Sequence, residues 1–446
     1  MLAKNFSQTI DIQLVEDLAK KSGFVQRSSK LSVRDFLEML MFGNLQSAGA
    51  SLNDFCAYLS EEQGFSISKQ GIDERFNKEA VDFLKSLLST ELEKKIQVNL
   101  SSSDGQHFNS LRVKDFTRWN LLANCSTKYK GYGGNQGVSA AMVSIQYEYD
   151  LLTGKIIDLS VNSGTRNDHK DSMELKENIN KNDLVIRDLG YISRSFIENV
   201  IKKEAYFLNR LPPQLGVYQV KDKQRTVNFK DIVQTMNRKK IDHLDQEVLV
   251  GDKQYHRCRM IVTKVPDHIY SKRMALAKRR AKDKGYSVSN EYKSRARLNV
   301  YLTNVDNKKM STQMVVKLYK ARWQVELIFK VWKSLGKVNA LSKMKVERFE
   351  CQLMAKLIWL VTNWKMFFVV NSWMYSTSQN NMCSLWKFFK QTLRKPLLLR
   401  DMLWRNASIE KWLYSTFQKA NQNLRLERKK GKTPFYDIFN QFQLLT

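Results

Sequence analysis

The spacing of apolar residues changes from helical to strand-like and back along the chain, which limits the folds it can adopt. Residues 1–95 show helical spacing, and Ser32 and Ser51 stand in capping positions ahead of apolar runs. From residue 96 the spacing becomes strand-like. A helix-compatible stretch precedes the fourth strand and an amphipathic helix precedes the fifth. The predicted strands are 96–103, 138–149, 156–164, 183–188 and 205–211.

Three strands in hairpin order, then helix, strand, helix and strand, predict a ribonuclease-H-like α/β domain. That fold needs one more helix, and the next hundred residues read instead as strands at 216–220, 226–233, 246–251, 257–265 and 298–305. We therefore predict a core interrupted by a mainly β insertion and flanked by helical regions. The predicted parts are a helical N-terminal domain (1–95), the first part of the core (96–211), the insertion (212–306), the last core helix (307–345) and a helical C-terminal region (346–446).

The helix that returns, residues 315–335, is predicted to be mostly buried with one polar edge. At ~100° per residue that edge carries Tyr319, Arg322, Glu326, Lys330 and Lys333. A buried helix keeps such residues only where they meet polar partners. Because Arg322 and Glu326 are four residues apart, as are Glu326 and Lys330, an ion-pair ladder remains open beside a functional site.

Net charge points to a partner. The chain has 74 Lys and Arg against 44 Asp and Glu, a formal charge of +30. Such an excess favours a polyanion, since basic side chains that neutralise phosphates release counterions. Ribosomal and membrane-surface proteins share this property, so charge indicates a class of partner and no activity.

Cysteine usage and the apolar runs indicate a cytoplasmic protein without a membrane span. The five cysteines are scattered and include no CxxC pair, which argues against a disulfide framework and a zinc site. The N-terminus lacks the apolar segment of a signal peptide. The most apolar run, residues 357–370, contains Asn363 and Lys365 and is predicted to be a core helix.

Three carboxylates occupy positions that a ribonuclease-H-like fold brings together. Asp104 ends the first predicted strand, Asp188 ends the fourth, and Glu326 lies on the returning helix. Clustered carboxylates are stable mainly when hard cations neutralise them. We expect two Mg²⁺ ions there, replaceable by Mn²⁺, which would activate a nucleophilic oxygen and stabilise a leaving oxygen in phosphodiester chemistry.

The polar edge also carries a resemblance. Tyr319-x2-Arg322-x3-Glu326-x6-Lys333 resembles, without a gap, the YREK signature of bacterial insertion-sequence DDE transposases of the insertion-sequence-four family. Supporting segments are SSSDG around Asp104, RDLGY at 187–191 and KQGIDERFN at 69–77. The order of helical domain, interrupted core and helical C-terminal region is similar as well.

The resemblance implies roles for individual residues. Tyr319, Arg322 and Lys333 would hold phosphates of the transposon end, with Lys330 and Arg210 as further phosphate contacts. The reaction would be hydrolysis at the 3′ end, followed by attack of the freed 3′-hydroxyl on target DNA. Expected partners are terminal inverted repeats and target DNA, bound by a homodimer on paired ends in the bacterial nucleoid. The alternative is a non-catalytic DNA-binding descendant of such an enzyme.

Other candidate DNA contacts lie in two basic stretches. Lys69, Gln70 and Arg75 fit the second helix of a helix-turn-helix, although a plain helical bundle has the same pattern. Residues 271–297 are predicted to include a basic helix inside the insertion; they hold ten basic and two acidic residues, among them Lys278, Arg279 and Arg280.

The resemblance also implies a DNA hairpin step, in which better-known members of the family stack a flipped base on a tryptophan of the insertion. This insertion has no tryptophan, which leaves that step in doubt. The candidates for stacking instead are Tyr255, Tyr270, Tyr286, Tyr292 and Tyr301.

Overall fold

The chain forms two compact units, each assembled from stretches that are not adjacent in sequence. The first contains residues Met1–Ser102, Phe116–Arg166 and Gln324–Thr433; the second contains Ser103–Asp115, Asn167–Trp323 and Pro434–Thr446. The two units divide the predicted core between them, and neither unit coincides with a predicted domain. The predicted domain boundaries therefore stay predictions. The computed structural model describes residues 10–27, 29–43, 49–94, 107–132, 140–166, 178–251, 254–340, 342–377, 381–404, 412, 414, 416, 418 and 420–427.

The protein is of mixed α/β class. In chain order its elements are α1 (Ile12–Lys21), α2 (Val33–Phe42), α3 (Leu52–Gln63), α4 (Lys69–Asp73), α5 (Lys78–Glu93), β1 (Ser110–Asn120), β2 (Met142–Asp150), β3 (Ile156–Ser163), β4 (Asp183–Arg187), α6 (Arg194–Lys202), β5 (Tyr206–Arg210), β6 (Val217–Gln219), α7 (Phe229–Arg238), β7 (His243–Val250), β8 (His256–Lys264), α8 (Asp267–Asp283), α9 (Asn290–Ala296), β9 (Leu298–Thr303), α10 (Thr312–Ala321), α11 (Trp323–Ser334), α12 (Val346–Thr377), α13 (Leu385–Arg394) and α14 (Pro396–Trp404).

Strand β1 contributes to both units. In the first unit the strand order is β3-β2-β1, and β2 and β3 form an antiparallel hairpin. In the second unit the order is β1-β4-β5-β9-β8-β7-β6. Strands β1, β4 and β5 are parallel, whereas the pairs from β5 to β6 are antiparallel. The parallel strands place the carboxyl ends of β1 and β4 at one edge of the sheet.

Strand β1 was not predicted, and its charged residues explain why. Its sequence, SLRVKDFTRWN, carries Arg112, Lys114 and Asp115, charged residues that are uncommon in a buried strand, yet the structure buries all three. Arg112 forms a buried ion pair with Asp183 of β4, with Nη1 and Oδ2 3.2 Å apart. The predicted strand 96–103 and most of the predicted helix 168–179 lie outside the described residues.

The insertion contains more helix than the mainly β prediction allows: the predicted basic helix is present as α8, and the unpredicted helices α7 and α9 accompany it. Residues 226–233 were predicted as a strand, but α7 begins at Phe229 after Asn228 caps it by accepting from the Lys230 N–H at 2.9 Å. Phe229, Ile232 and Met236 are buried at helical spacing, which outweighs the short strand-like pattern. Strand β9 returns beside β5 and joins the insertion to the parallel strands.

The N-terminal caps are confirmed. Ser32 accepts from the Asp35 N–H, and Ser51 and Asp54 form a reciprocal capping box. The helix predicted to be the second of a helix-turn-helix is short: α4 begins at Lys69 and ends at Asp73, before Arg75.

Helix α12 forms the core of the first unit, which confirms the prediction of a core helix. It is long and apolar enough to cross a membrane, but 94% of its most apolar window is buried inside the protein. Trp359 and Trp364 are 1% and 4% exposed. Among the described residues no other helix is long and apolar enough to cross a membrane.

Candidate active site

Two aspartates follow equivalent positions on neighbouring parallel strands. Val113 of β1 lies opposite Ile186 of β4, and the next residues on the two strands are the fully buried Lys114 and Arg187. Continuing the register by two residues places Asp115 level with Asp188. Asp115 is 9% exposed, while the side chain of Asp188 is 44% exposed. One buried and one accessible carboxylate therefore lie side by side just beyond the last paired residues of β1 and β4.

Arg322 joins the two carboxylates. Its Nη1 donates to Asp115 Oδ2 at 2.6 Å, and its Nε lies 3.9 Å from Asp188 Oδ1. Tyr319, one helical turn earlier, donates its hydroxyl to Asp188 Oδ1 at 3.4 Å. Residues three apart on a helix share a face, so the first half of the signature brings both side chains to the aspartates.

Tyr319 is a proton donor in this setting. Burial raises the pKa of its hydroxyl well above the usual value, and Asp188 raises it further, although Arg322 and Arg210 oppose this. The hydroxyl therefore stays protonated across the physiological pH range, and it can donate to a carboxylate or to a phosphate oxygen.

The predicted continuous helix 315–335 is interrupted at one residue. Arg322 ends α10 and donates its backbone N–H to Tyr319 O at 3.2 Å, three residues back, before α11 begins at Trp323. Its φ and ψ of −49° and −34° remain helical, so the interruption is a tightened turn.

The second half of the signature lies on α11 in the first unit. Val325, Phe329 and Trp332 are buried, and the Trp332 ring packs 5.0 Å from Tyr147. Glu326 and Lys333 are half-buried and Lys330 is exposed, so the predicted polar edge is present. The Lys333 ammonium donates to Arg118 O at 3.2 Å and lies 5.8 Å from the Trp119 ring centroid. Burial lowers the pKa of Lys333.

The start of α10 is tied to the insertion by Arg259. This residue of β8 is 8% exposed and pairs with Asp245 of β7. Its Nη1 also donates to Val305 O at 3.0 Å and to Met310 O at 2.9 Å. Asp245 in turn accepts from Thr312 Oγ1 at 2.5 Å. One arginine–aspartate pair thus fixes both the loop that enters α10 and its first residue.

The sequence predicts Asp104 as the first ligand; that residue lies outside the described residues, so its role stays a prediction, while Asp115, which was not predicted, lies beside Asp188. A signal for Asp115 was present, because Val113-Lys114-Asp115 and Ile186-Arg187-Asp188 share the order β-branched, basic, aspartate. This shared order has a structural meaning only when both segments are strands, and β1 was not predicted to be one.

The donor chemistry fits a hard divalent cation. Carboxylate oxygens are the ligands that Mg²⁺ and Mn²⁺ prefer, and Asp115 and Asp188 provide two such groups around one cationic side chain. Among the described residues, no group of three or more His, Cys, Asp and Glu is placed to bind a metal. A complete site needs a further carboxylate.

The other predicted DNA contacts are distributed over the surface. Lys69 and Gln70 are exposed at the start of α4, and Arg75 lines a cleft with Lys20, Arg27, Lys30 and Arg34. Lys278, Arg279 and Arg280 are exposed on α8. Arg210 is half-buried and donates to Asn299 Oδ1 at 2.5 Å.

The tyrosines of the insertion differ in their availability for stacking. Tyr301 is 5% exposed and packs against Tyr319 with ring centroids 5.3 Å apart. Tyr286 and Tyr292 are 56% and 44% exposed. Only exposed rings of this kind offer a face to a base without rearrangement.

Comparison with known proteins gives a family. The profile of the family described as "Transposase DDE domain" matches residues 106–362, a range that contains Asp115, Asp188 and Glu326 and begins after Asp104. The transposase for insertion sequence element IS231F of Bacillus thuringiensis subsp. israelensis is 28% identical over 444 residues, covering 96% of this chain and 92% of that protein.

Two further relatives are the transposase for IS231B of Bacillus thuringiensis subsp. berliner, 30% identical with 77% and 75% coverage, and that for IS1151 of Clostridium perfringens, 27% identical with 87% and 85% coverage. A solved piggyBac transposase synaptic complex with hairpin DNA aligns with a TM-score of 0.46 and 11% identity, covering 96% of this chain and 84% of that one. The chain belongs to the DDE transposases of insertion sequences.

Proposed function

We propose that this transposase binds the terminal inverted repeats of its own insertion sequence, hydrolyses the phosphodiester bond at each end, and joins the freed 3′-hydroxyl to target DNA. The observation that carries the proposal is the meeting of Asp115 and Asp188 with Arg322 and Tyr319 of the signature. Acidic groups that lie side by side on adjacent parallel strands, next to cationic and hydroxyl donors, suit phosphoryl chemistry.

The strand order supports a ribonuclease-H-like core. In the order β3-β2-β1 in one unit and β1-β4-β5 in the other, the strands β1, β4 and β5 are parallel, and α6 connects β4 to β5 as the sequence predicts. In this proposal the two aspartates mark the reactive edge of that core.

The metal ligands we propose are Asp115, Asp188 and Glu326, holding two Mg²⁺ ions that Mn²⁺ can replace. Support for Asp115 comes from its register with Asp188. Asp104, the ligand that the sequence predicts, lies outside the described residues and is the alternative first ligand. Glu326 enters through the signature, one helical turn after Arg322. Ions bound there would activate the attacking oxygen and neutralise the leaving oxygen.

The signature side chains would hold the DNA strand that is cut. Arg322 has a planar guanidinium that can pass from carboxylates to phosphate oxygens, and Tyr319 keeps its proton for donation. Lys333 would neutralise a further phosphate, with the exposed Lys330 as a weaker contact. A homodimer would place one site at each end of the element, with Lys69, Gln70 and Arg75 as N-terminal contacts to the repeats.

Four amide substitutions test the site: Asp115→Asn, Asp188→Asn, Glu326→Gln and Asp104→Asn. The substrate is duplex DNA carrying the element ends that flank this gene, cut in the presence of Mg²⁺. We expect the first three to lose more than about 1,000-fold in cleavage rate while retaining DNA binding, because each removes a negative ligand. Asp104→Asn should cut normally.

The matched control is Asp283→Asn, which removes an exposed carboxylate at the end of α8. Full cleavage by Asp115→Asn, with none by Asp104→Asn, would return the first ligand to Asp104. A chain that neither binds nor cuts its element ends under any divalent cation would refute the proposed function.

A further inference from the structure

Three arginines from different elements of the second unit converge beside β9. Arg210 ends β5, Arg273 lies on α8 and Arg295 lies on α9. Arg210 and Arg273 donate to the same acceptor, Asn299 Oδ1, at 2.5 Å and 2.7 Å. One amide oxygen thus holds two guanidinium groups side by side. We call Arg210, Arg273 and Arg295 the arginine cluster.

Backbone carbonyls and a ring fix the rest of the cluster. Arg273 donates to Ala296 O and Leu298 O, both at 3.0 Å. Arg295 donates to Leu211 O at 2.6 Å, and its guanidinium lies 4.6 Å from the Phe229 ring centroid. These acceptors are neutral, so they orient the guanidiniums without cancelling their charge.

The positive charge of the cluster is not balanced by an ion pair with any residue that the structure describes. Among the described residues none of the three arginines forms one. Burial lowers the pKa of Arg273, and Arg210 lowers it further. Burial also lowers the pKa of Arg295, where Glu291 raises it and Arg210 lowers it. Half-buried like charges repel each other, and a bound anion would relieve that repulsion.

The cluster is close to the candidate active site within the same unit. Asn299 and Tyr301 are on the same strand, and the Tyr301 ring packs 5.3 Å from Tyr319, whose hydroxyl reaches Asp188. The charge of Arg210 acts on both tyrosines, lowering pKa values that burial raises. An anion at the cluster would therefore lie near the reacting phosphate.

We propose that the arginine cluster binds the DNA backbone next to the bond that is cut, contacting phosphates through Arg273 and Arg295 as well as Arg210. Asn299 is a positioning residue that holds Arg210 and Arg273 together. Fixed guanidiniums recognise phosphate oxygens in a bidentate manner and carry no sequence information. The inference rests on the proposed function and adds a subsite formed by the insertion.

The most discriminating variant is Asn299→Asp in the full-length protein. A carboxylate at this position still accepts from both arginines and should stabilise the fold, whereas it neutralises the charge offered to DNA. We expect a higher Tm and about tenfold weaker binding of the element-end duplex, which are opposite effects that a purely structural role does not produce. Unchanged or tighter DNA binding would overturn the subsite.

The salt dependence of DNA binding by Arg273→Ala and Arg295→Ala measures how many phosphates the cluster contacts. Each should reduce the slope of log K against log salt by about 0.9, because one phosphate contact is lost. The control is Arg257→Ala, an exposed arginine of the same insertion whose Nη1 lies 3.6 Å from Glu247 Oε2. Equal slopes for the cluster variants and this control would overturn the proposal.

Methylphosphonate linkages, which carry no charge, locate the contact. Placed singly around the cut, one should weaken wild-type binding about tenfold and leave Arg273→Ala unaffected. If wild type binds and cuts while both proteins respond alike at every position, only the cluster inference fails. Wild type that binds no duplex DNA overturns both proposals.

Discussion

Lys356 and the arginine cluster are two places where a desolvated cation has no ion pair among the described residues, and their chemistry separates them. Lys356 of α12 is 4% exposed and donates to Lys337 O at 2.9 Å. Burial, and then the charge of Lys337, lower its pKa to about 8. The guanidiniums of the cluster also have lowered pKa values, but arginine keeps its proton in proteins.

This difference between lysine and arginine indicates which buried basic residues can bind a polyanion. Burial lowers the pKa of Lys356 to about 8, so this lysine loses its charge at a pH where an arginine keeps it. A half-buried arginine whose acceptors are neutral keeps its charge, and that charge stays unbalanced until an anion binds. Arg259 is the reference case, because its carboxylate partner Asp245 already balances it.

The largest expected effect is on the free energy of unfolding when Arg259 is replaced. Arg259→Met leaves Asp245 and two carbonyls without their donor, which should cost about 3 kcal/mol in the free energy of unfolding. Urea unfolding measures this, with Arg257→Met as an exposed control expected to stay within about 0.5 kcal/mol. The salt slope of DNA binding should not change. A smaller slope would place Arg259 with the DNA-binding arginines.

Lys356 should make stability depend on pH. Its pKa is about 8 in the folded protein and near the ordinary 10.5 when unfolded, so the unfolded chain binds more protons between these values. The free energy of unfolding should therefore rise with pH across this interval, by about 3 kcal/mol in total. Lys356→Met should remove most of the rise. An equal pH dependence in both proteins would show that the lysine stays charged.

The smallest expected effect comes from placing a lysine in the arginine cluster. Arg273→Lys puts a titratable cation beside Arg210, where burial and like charge lower its pKa. DNA affinity should then fall by up to about tenfold between pH 7 and pH 9.5, whereas wild-type affinity stays flat. Fluorescence anisotropy with the element-end duplex measures it. A flat profile for Arg273→Lys would mean that the cluster is more solvated than its contacts indicate.

Much of the fold was predictable where local pattern determines it. Strands β2 to β5, the insertion strands β7 to β9, and the caps at Ser32 and Ser51 follow from alternation and capping chemistry. Strand β1 did not, because Arg112 becomes acceptable in a strand only through Asp183, 71 residues away. Periodicity contains no information about such a partner.

The candidate site was predictable to a similar extent. Asp188, Tyr319 and Arg322 were named from the sequence, and the structure brings them together. Asp115 was missed together with its strand. The acceptors that hold the arginine cluster were also invisible, since Asn299 and the carbonyl groups carry no sequence signature of their own.

The way the chain passes between its units has a consequence for how such a protein can change. It passes from one unit to the other inside β1, between Asp115 and Phe116, and again within the first residues of α11, between Trp323 and Gln324. Neither unit is therefore a continuous stretch of the gene. A single truncation or fusion cannot deliver one of them intact, so we expect exchange between relatives to succeed in surface loops and to fail as the transfer of whole units.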